Sequence, residues 1–551
     1  MMLLPWSLRV VALLLFTGSV FSLVRQSDAA QLPLGAKAES QFMPDSDLGV
    51  SCGACHREPL PDAKTRGSDK FVLLREYTYW NQHDLHRRAF DGLSSPLGQR
   101  MSVLLYGNSE AVTKKASCLV CHATDTEPAT PLAAKTASQF GCELGVNCQA
   151  CHGPASKWLA EHFKLSWREV HGTDKQSKFG LTNLRDPAVR AKTCVACHVG
   201  NAVEGKCVTH EMYAAGHPPL PAFELATFSR DEPRHWRAPS EVPVITSLES
   251  DKARERFAYR KGEGESARLV AVGAIECMKE TVRLLSFEPD PKNPEESLDF
   301  THFNCAACHH DLRMPSDRQK NGFPGAPGRP VPRTWPAWLA RVVIKNAADL
   351  NHPEAAKLGT EFETRLVALR AAFDARPFGD KPKVLEAAKQ LAATCDDLLK
   401  LVDSVDYNEA AAWKLLTAIA DQAAEAGAGG ARKDFLDADG AYQLARAFTA
   451  IYTDLAGSAY DRAEIPSGPA SLDKLAADPK GLSALLVKLN AITPVAMREK
   501  YANGRTVEGL LPDHIAFLIQ GSLDSRLKTY YGYDPTAFRQ VFTEIRKKLG
   551  Q

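Results

Sequence analysis

Hydrophobic and polar residues follow three regimes along this chain. An unbroken apolar run from Val10 to Val24 follows Arg9 and gives way to the small residues Ser27, Ala29 and Ala30. From about residue 45 to residue 315 the apolar positions keep no sustained period, and Gly and Pro are scattered through them, which predicts short helices joined by long loops. Beyond residue 335 the spacing becomes helical. Phe362, Leu366, Leu369 and Phe373 form one stripe; Leu385, Ala388, Ala392, Cys395, Leu399 and Val402 a second; Leu444, Phe448, Ile451 and Leu455 a third. Between the last two regimes NGFPGAPGRPVP, residues 321–332, has the composition of a linker. The expected organisation is mostly α: a leader over 1–30, a first domain over 31–320, a Pro/Gly linker over 321–335, and an antiparallel helical bundle over 336–551.

The leader resembles the n, h and c regions of a secretory signal, with cleavage after Ala29 or Ala30. A retained anchor is the alternative, but about 15 apolar residues fall short of the roughly 20 that a span needs. With the leader removed no integral membrane span is expected, and the chain belongs in the periplasm or at another extracytoplasmic face. Of the 551 residues 44% are hydrophobic, enough for two or more ordinary cores. The formal charge of +1 argues against a nucleic-acid partner, which would call for a basic excess gathered on one face.

The cysteines narrow the chemistry further. Ten of the 14 fall in five Cys-x-x-Cys-His units: Cys52, Cys55, His56; Cys118, Cys121, His122; Cys148, Cys151, His152; Cys194, Cys197, His198; and Cys305, Cys308, His309. Two thiols on one turn can add across the two vinyl groups of haem, and the adjacent imidazole is then held beneath the iron. Zinc knuckles and redox dithiols also use Cys-x-x-Cys, but neither requires a histidine next. The first domain is therefore expected to be a pentahaem cytochrome c domain, packed around five covalently attached haem c groups, and the bundle to be free of haem. Of the other cysteines, Cys142, Cys207 and Cys277 leave room for a disulfide, whereas Cys395 lies on a helical stripe and is expected to be a buried thiol.

Five irons have up to ten axial positions, and eleven histidines lie outside the motif positions. His83 and His86, three residues apart, would share one side of a helix. His162 follows Gly153 and Pro154, which are expected to end one segment and start the helix that carries it. His171, His210, His217, His235, His302 and His310 lie in or beside the same region, while His352 and His514 belong to the bundle. His235 is expected to be a backbone-bonded packing residue, and Met212, Met278 and Met314 to be packing residues rather than ligands. In HEMYAAGHPPL, His210 belongs on a short helix that ends near Gly216, and His217 on an extended exit stiffened by Pro218, so the two imidazoles should serve different haems.

Five Cys-x-x-Cys-His motifs, NCQACHGP, DLHRRAF and CVACHVGN followed by THEMYAAGHPPL together resemble the multihaem cytochromes c related to the tetrahaem carrier that accepts electrons from hydroxylamine oxidoreductase. The resemblance spans roughly residues 45–315. It implies a helical haem domain with stacked porphyrin pairs and mostly bis-histidine coordination, with His86, His162, His210 and His217 as distal ligands and His302 and His310 competing for a fifth place. A fifth motif and a long haem-free domain depart from that pattern.

Two functions follow as expectations. One is electron transfer between redox partner proteins, a donor and an acceptor, with the haem propionates giving an acidic surface suited to a basic partner. The other is a multihaem oxidoreductase acting on a small nitrogen or sulfur compound at an open, five-coordinate iron. The helical bundle could serve either by docking the molecule peripherally on a membrane complex.

Overall fold

The computed structural model describes residues 42–57, 72–288, 295–309, 314, 329–426, 436–461 and 533–549. The leader, His310, His514 and most of the Gly/Pro stretch fall outside them. Fourteen helices carry the argument: α1 (Asp45–His56), α2 (Glu76–His83), α3 (Ala116–His122), α4 (Cys148–His152), α5 (Pro187–His198), α6 (His210–Ala215), α7 (Leu225–Asp231), α8 (Glu265–Arg283), α9 (Ala337–Asp349), α10 (Ala355–Asp374), α11 (Lys381–Ser404), α12 (Glu409–Glu425), α13 (Ala438–Asp461) and α14 (Pro535–Leu549). Shorter helical turns lie between them. Among the described residues the sheet content is one antiparallel pair, Thr124–Asp125 with Phe140–Gly141.

The fold is mostly α, as the periodicities predict, and the three apolar stripes sit where their spacing puts them. Phe362, Leu366, Leu369 and Phe373 are buried on α10, and Leu444, Phe448, Ile451 and Leu455 are buried on α13. On α11, Ala388, Ala392, Cys395 and Val402 are buried, with Leu385 and Leu399 partly so. No disulfide joins any of the 14 cysteines, so Cys142, Cys207 and Cys277 are thiols, the last two buried.

The helix that organises the molecule is α8, which precedes the Gly/Pro stretch. Its central stretch LVAVGAIECM has apolar residues on every side, so the helix must be covered on all faces; 16 of its 19 residues are buried. It packs along α11 and also against α5, α7, α9 and α13. One hydrophobic core consequently runs from Ala191 and Val195 on α5, through Val272 and Ile275 on α8, to Phe542 on α14. That core continues past residues 321–335, because α8 is too apolar to remain with the loop-rich region that precedes it.

The buried charged residues on α8, Arg268, Glu276, Lys279 and Glu280, are paired rather than solvated. Arg268 donates to Asp403 of α11 from Nε at 3.0 Å and Nη2 at 2.5 Å. Lys279 pairs with Glu276 at 2.5 Å and faces Asp396 at 3.5 Å. Close packing on the other side depends on Gly273, where a Cβ would stand 2.6 Å from Leu225 Cβ on α7. Gly273→Ala should force α7 and α8 apart and destabilise the protein by about 1–3 kcal/mol, measurable as a lower denaturation midpoint; an unchanged midpoint would mean that α7 yields without loss.

Candidate haem-binding sites

Four of the five motifs end or form a helix: α1 ends on His56, α3 on His122, α5 on His198, and α4 is itself Cys148–His152; the fifth begins as a single turn, Cys305–Ala307. Helical geometry places the two thiols, three residues apart, on one side, together with the imidazole four residues after the first thiol. Local capping sets these helices. Asp186 caps α5 by accepting from Ala188 N with Pro187 at the first turn, and Asn147 caps α4 by accepting from Gln149 N. Gly153 ends α4 at φ +79°, with the Gly180 carbonyl so close that a Cβ would meet it at 2.2 Å.

Each motif histidine faces one other histidine. His56 faces His162 with ring centres 6.3 Å apart, His122 faces His217 at 6.4 Å, His152 faces His235 at 6.5 Å, His198 faces His86 at 6.0 Å, and His309 faces His210 at 6.3 Å. Two imidazoles sharing one metal through bonds of roughly 2 Å, each ring centre lying about 1 Å behind its nitrogen, span roughly 6 Å. The ring planes are close to parallel in two pairs, 21° for His56 with His162 and 27° for His210 with His309. They are steeply crossed in the other three, at 82°, 75° and 87°.

Hydrogen bonding fixes which nitrogen is available. Nδ1 of His122 donates to the Ala89 carbonyl at 2.7 Å, that of His162 to Leu159 at 2.6 Å, that of His217 to Pro218 at 2.8 Å, and that of His235 to Pro233 at 3.0 Å. A carbonyl can only accept, so Nδ1 carries the proton and Nε2 keeps its lone pair for a metal. His56 and His86 use carboxylates instead, Glu76 at 2.8 Å and Asp84 at 3.0 Å. Their imidazoles are held up accordingly. The Glu76 hydrogen bond raises His56 against burial, and for His86 the Asp84 hydrogen bond and charge overcome a still larger burial effect, bringing it up to about 9. Burial pushes His152 down to about 4 and lowers His122 and His162. Asp84, His86 and Glu232 together offer ligand atoms within 4.8 Å of one another, but His86 is already directed at His198.

The segment HEMYAAGHPPL resolves as its residues suggest. Thr209 caps α6 by accepting from Met212 N, Asp299 accepts from His210 N at 3.0 Å, and Gly216 at φ +120° ends the helix before His217. Six helical residues thus carry one imidazole toward His309 and deliver the next toward His122.

Elsewhere the placements differ from expectation. His83 and His86 do not share a helix: α2 ends at His83, Asp84 is extended, and His83 lies against Tyr79 instead. His162 sits in a series of turns rather than on a helix, its N–H bonded to the Trp158 carbonyl. His235 is backbone-bonded, as read from the sequence, but it also faces His152, a role that reading did not assign. His302 instead lines a cavity with Cys207, Tyr213, Leu220, Arg333 and Trp335, where burial pushes it down to about 4. His171 is 3.8 Å from Glu255 at the surface, Met278 is buried in the core, and Met314 is exposed.

Contacts between motifs give their order in space. The side chains of Cys52 and Cys148 are hydrogen-bond neighbours, as are those of Cys121 and Cys197. Cys151 lies within electrostatic reach of Cys194 and Cys197, and half-buried Tyr213 is in reach of both Cys207 and Cys305. The fifth motif is tied to the bundle: Asn304 donates to Asp437 at 3.1 Å, and Arg333, whose N–H donates to the His302 carbonyl, pairs with Asp439 at 3.0 Å.

Residues 51–153, which hold the first three motifs, match the family model described as cytochrome c554 and c-prime. The match supports a c-type cytochrome. In c-type cytochromes haem is attached covalently through the motif thiols, and the tautomers and ring spacings above fit such a group. No curated protein and no solved structure matches the chain.

Proposed function

We propose that this c-type cytochrome is an exported electron carrier holding five haem c groups, each between a motif histidine and a second histidine. The observation that carries this reading is the set of five facing pairs, His56/His162, His122/His217, His152/His235, His198/His86 and His309/His210. Bound haem supplies reversible one-electron exchange at its iron. The protein's part would be to hold each haem between the two histidines of a facing pair, with the Nδ1 hydrogen bonds orienting the rings, and to hold the motifs close together. An enzyme acting on a small nitrogen or sulfur compound at an open iron would need a motif histidine with no facing ring, and each of the five has one.

Following the thiol neighbours, the motifs run first, third, fourth, second. The helix α6, whose His210 faces His309 and whose exit residue His217 faces His122, then joins the second to the fifth. Cys55 and Cys308 are exposed at the two ends, whereas Cys121, Cys151, Cys194 and Cys197 between them are only partly accessible. Redox partner proteins would accordingly dock at the first and fifth motifs, and the bundle beside the fifth offers a surface for peripheral attachment to a membrane complex. Export rests on the apolar leader; among the described residues no helix is long and apolar enough to cross a membrane.

The oxidised protein should give an electron paramagnetic resonance spectrum of low-spin haem alone, in two classes. The two near-parallel pairs should give rhombic signals, and the three crossed pairs the large-g signals of perpendicular imidazole planes. The reduced protein should not bind carbon monoxide. A high-spin component with carbon monoxide binding would favour the oxidoreductase reading, and a pyridine haemochrome count below five haems per chain would overturn the count.

A further inference from the structure

Two of the facing imidazoles, those of His56 and His86, are held by carboxylates, whereas His122, His162, His217 and His235 are held by backbone carbonyls. His56 donates from Nδ1 to Glu76 Oε2 at 2.8 Å, and Glu76 is itself anchored, its Oε1 accepting from Leu73 N at 2.8 Å. His86 donates from Nδ1 to Asp84 Oδ1 at 3.0 Å, and the same oxygen accepts from His86 N at 2.9 Å. In both places a backbone N–H orients the carboxylate and leaves acceptor capacity for the imidazole. Asp84 is only 4% exposed, so water cannot take over the contact, and the side chain of Glu76 is 19% exposed. By contrast, both rings of the His122/His217 pair donate to backbone carbonyls, Ala89 and Pro218.

A carboxylate acceptor draws the Nδ1 proton more strongly than a carbonyl does and makes Nε2 a better donor to a metal. It also adds a negative charge near the iron in surroundings that screen it poorly. Both effects favour the more positive, oxidised iron. Each carboxylate sits behind an imidazole, on its Nδ1, rather than opposite a motif histidine, and the motifs alone give no reason for Glu76 or Asp84 to be where they are.

We propose that Glu76 and Asp84 are positioning residues that lower the redox potentials of two particular haems, those of the first and fourth motifs, and thereby set these two apart from the haem of the second motif. The inference rests on the bis-histidine reading above. Along the series first, third, fourth, second, fifth, the carboxylate-held fourth site precedes the second, whose two rings donate to carbonyls, so an electron reaching this pair would settle at the second.

The test is a spectroelectrochemical redox titration of the five-haem protein and of Glu76→Gln and Asp84→Asn, each amide keeping the shape of the side chain while losing its charge. Each variant should move one midpoint upward, by about a ten-fold change in the oxidised-to-reduced ratio or about 59 mV for one electron, with the remaining midpoints and the low-spin spectrum unchanged. Asp84→Glu should restore most of the shift. Five low-spin haems with unmoved midpoints in both amide variants would overturn the inference and leave the electron-carrier reading intact. A wild-type spectrum that is not bis-histidine low spin would instead overturn the reading on which it rests. Should Asp84→Asn fail to fold, Glu76→Gln, at the more accessible site, decides the question alone.

Discussion

Replacing His235 with alanine is expected to leave five covalently attached haems but to turn one of them high spin and able to bind carbon monoxide. The four thiol-and-imidazole motifs other than the third are untouched by this change, and Cys148, Cys151 and His152 would still hold a haem of their own. What is lost is the ring 6.5 Å from His152, held there by its bond to the Pro233 carbonyl. The same experiment on His302 is the informative control. His302 lines a cavity wall beside Tyr213 and Arg333, while every motif histidine has its facing ring without it, so His302→Ala should leave all five haems low spin. Low-spin haem throughout in His235→Ala, or a high-spin haem in His302→Ala, would reverse the two assignments.

The second large effect is expected in the core. Asp403→Ala removes the carboxylate to which Arg268 donates twice, and Arg268 is 6% exposed on the central helix α8. Breaking a buried ion pair from one side typically costs about 3–5 kcal/mol, because the remaining charge stays in a poorly solvating interior. Here the lower end is expected: Glu263 lies 4.0 Å from Arg268 and takes up part of the charge, and Asp403 itself is a third exposed. Chemical denaturation of the haem-loaded protein, followed by far-ultraviolet circular dichroism, should show the loss as a lower midpoint. Replacing both partners, Arg268→Met with Asp403→Leu, should recover much of it, since no buried charge is then left alone. An unchanged midpoint in Asp403→Ala would show that the pair contributes nothing to the coupling of α8 to α11.

The two expectations differ in how far they could be seen in the residues. The stripe through Cys395 and the stripes on α10 and α13 are legible because a helix repeats every 3.6 residues and its buried face must be apolar along its whole length. The covering of α8 was less visible. An apolar stretch in the middle of a loop-rich region shows that something must enclose it, but not that the enclosing helices come from beyond residue 335.

The same division separates the two imidazoles of each proposed site. The motif histidine is marked by the cysteines beside it, since attachment chemistry requires those residues in immediate succession. The facing histidine carries no such mark. His210 and His217 could be placed because Thr209, Gly216 and Pro218 set the backbone around them, whereas His235, between Arg234 and Trp236, has no local feature to distinguish it from a packing residue. His302, beside the fifth motif, looked better placed by proximity in the chain, yet Asp299 and Arg333 hold its segment so that the fifth motif faces α6 instead.

By itself, then, the sequence determined the attachment chemistry, the mostly helical class and the faces of the bundle helices, because each of these depends on residues within a few positions of one another. The tertiary structure alone decided which histidine faces which motif, the order of the motifs in space, the carboxylates behind His56 and His86, and the continuity of the core across residue 320. Those relations join residues far apart in the chain, as Arg230 of α7 and Asp454 of α13 are joined across 224 positions, and are set by how helices fill space around α8.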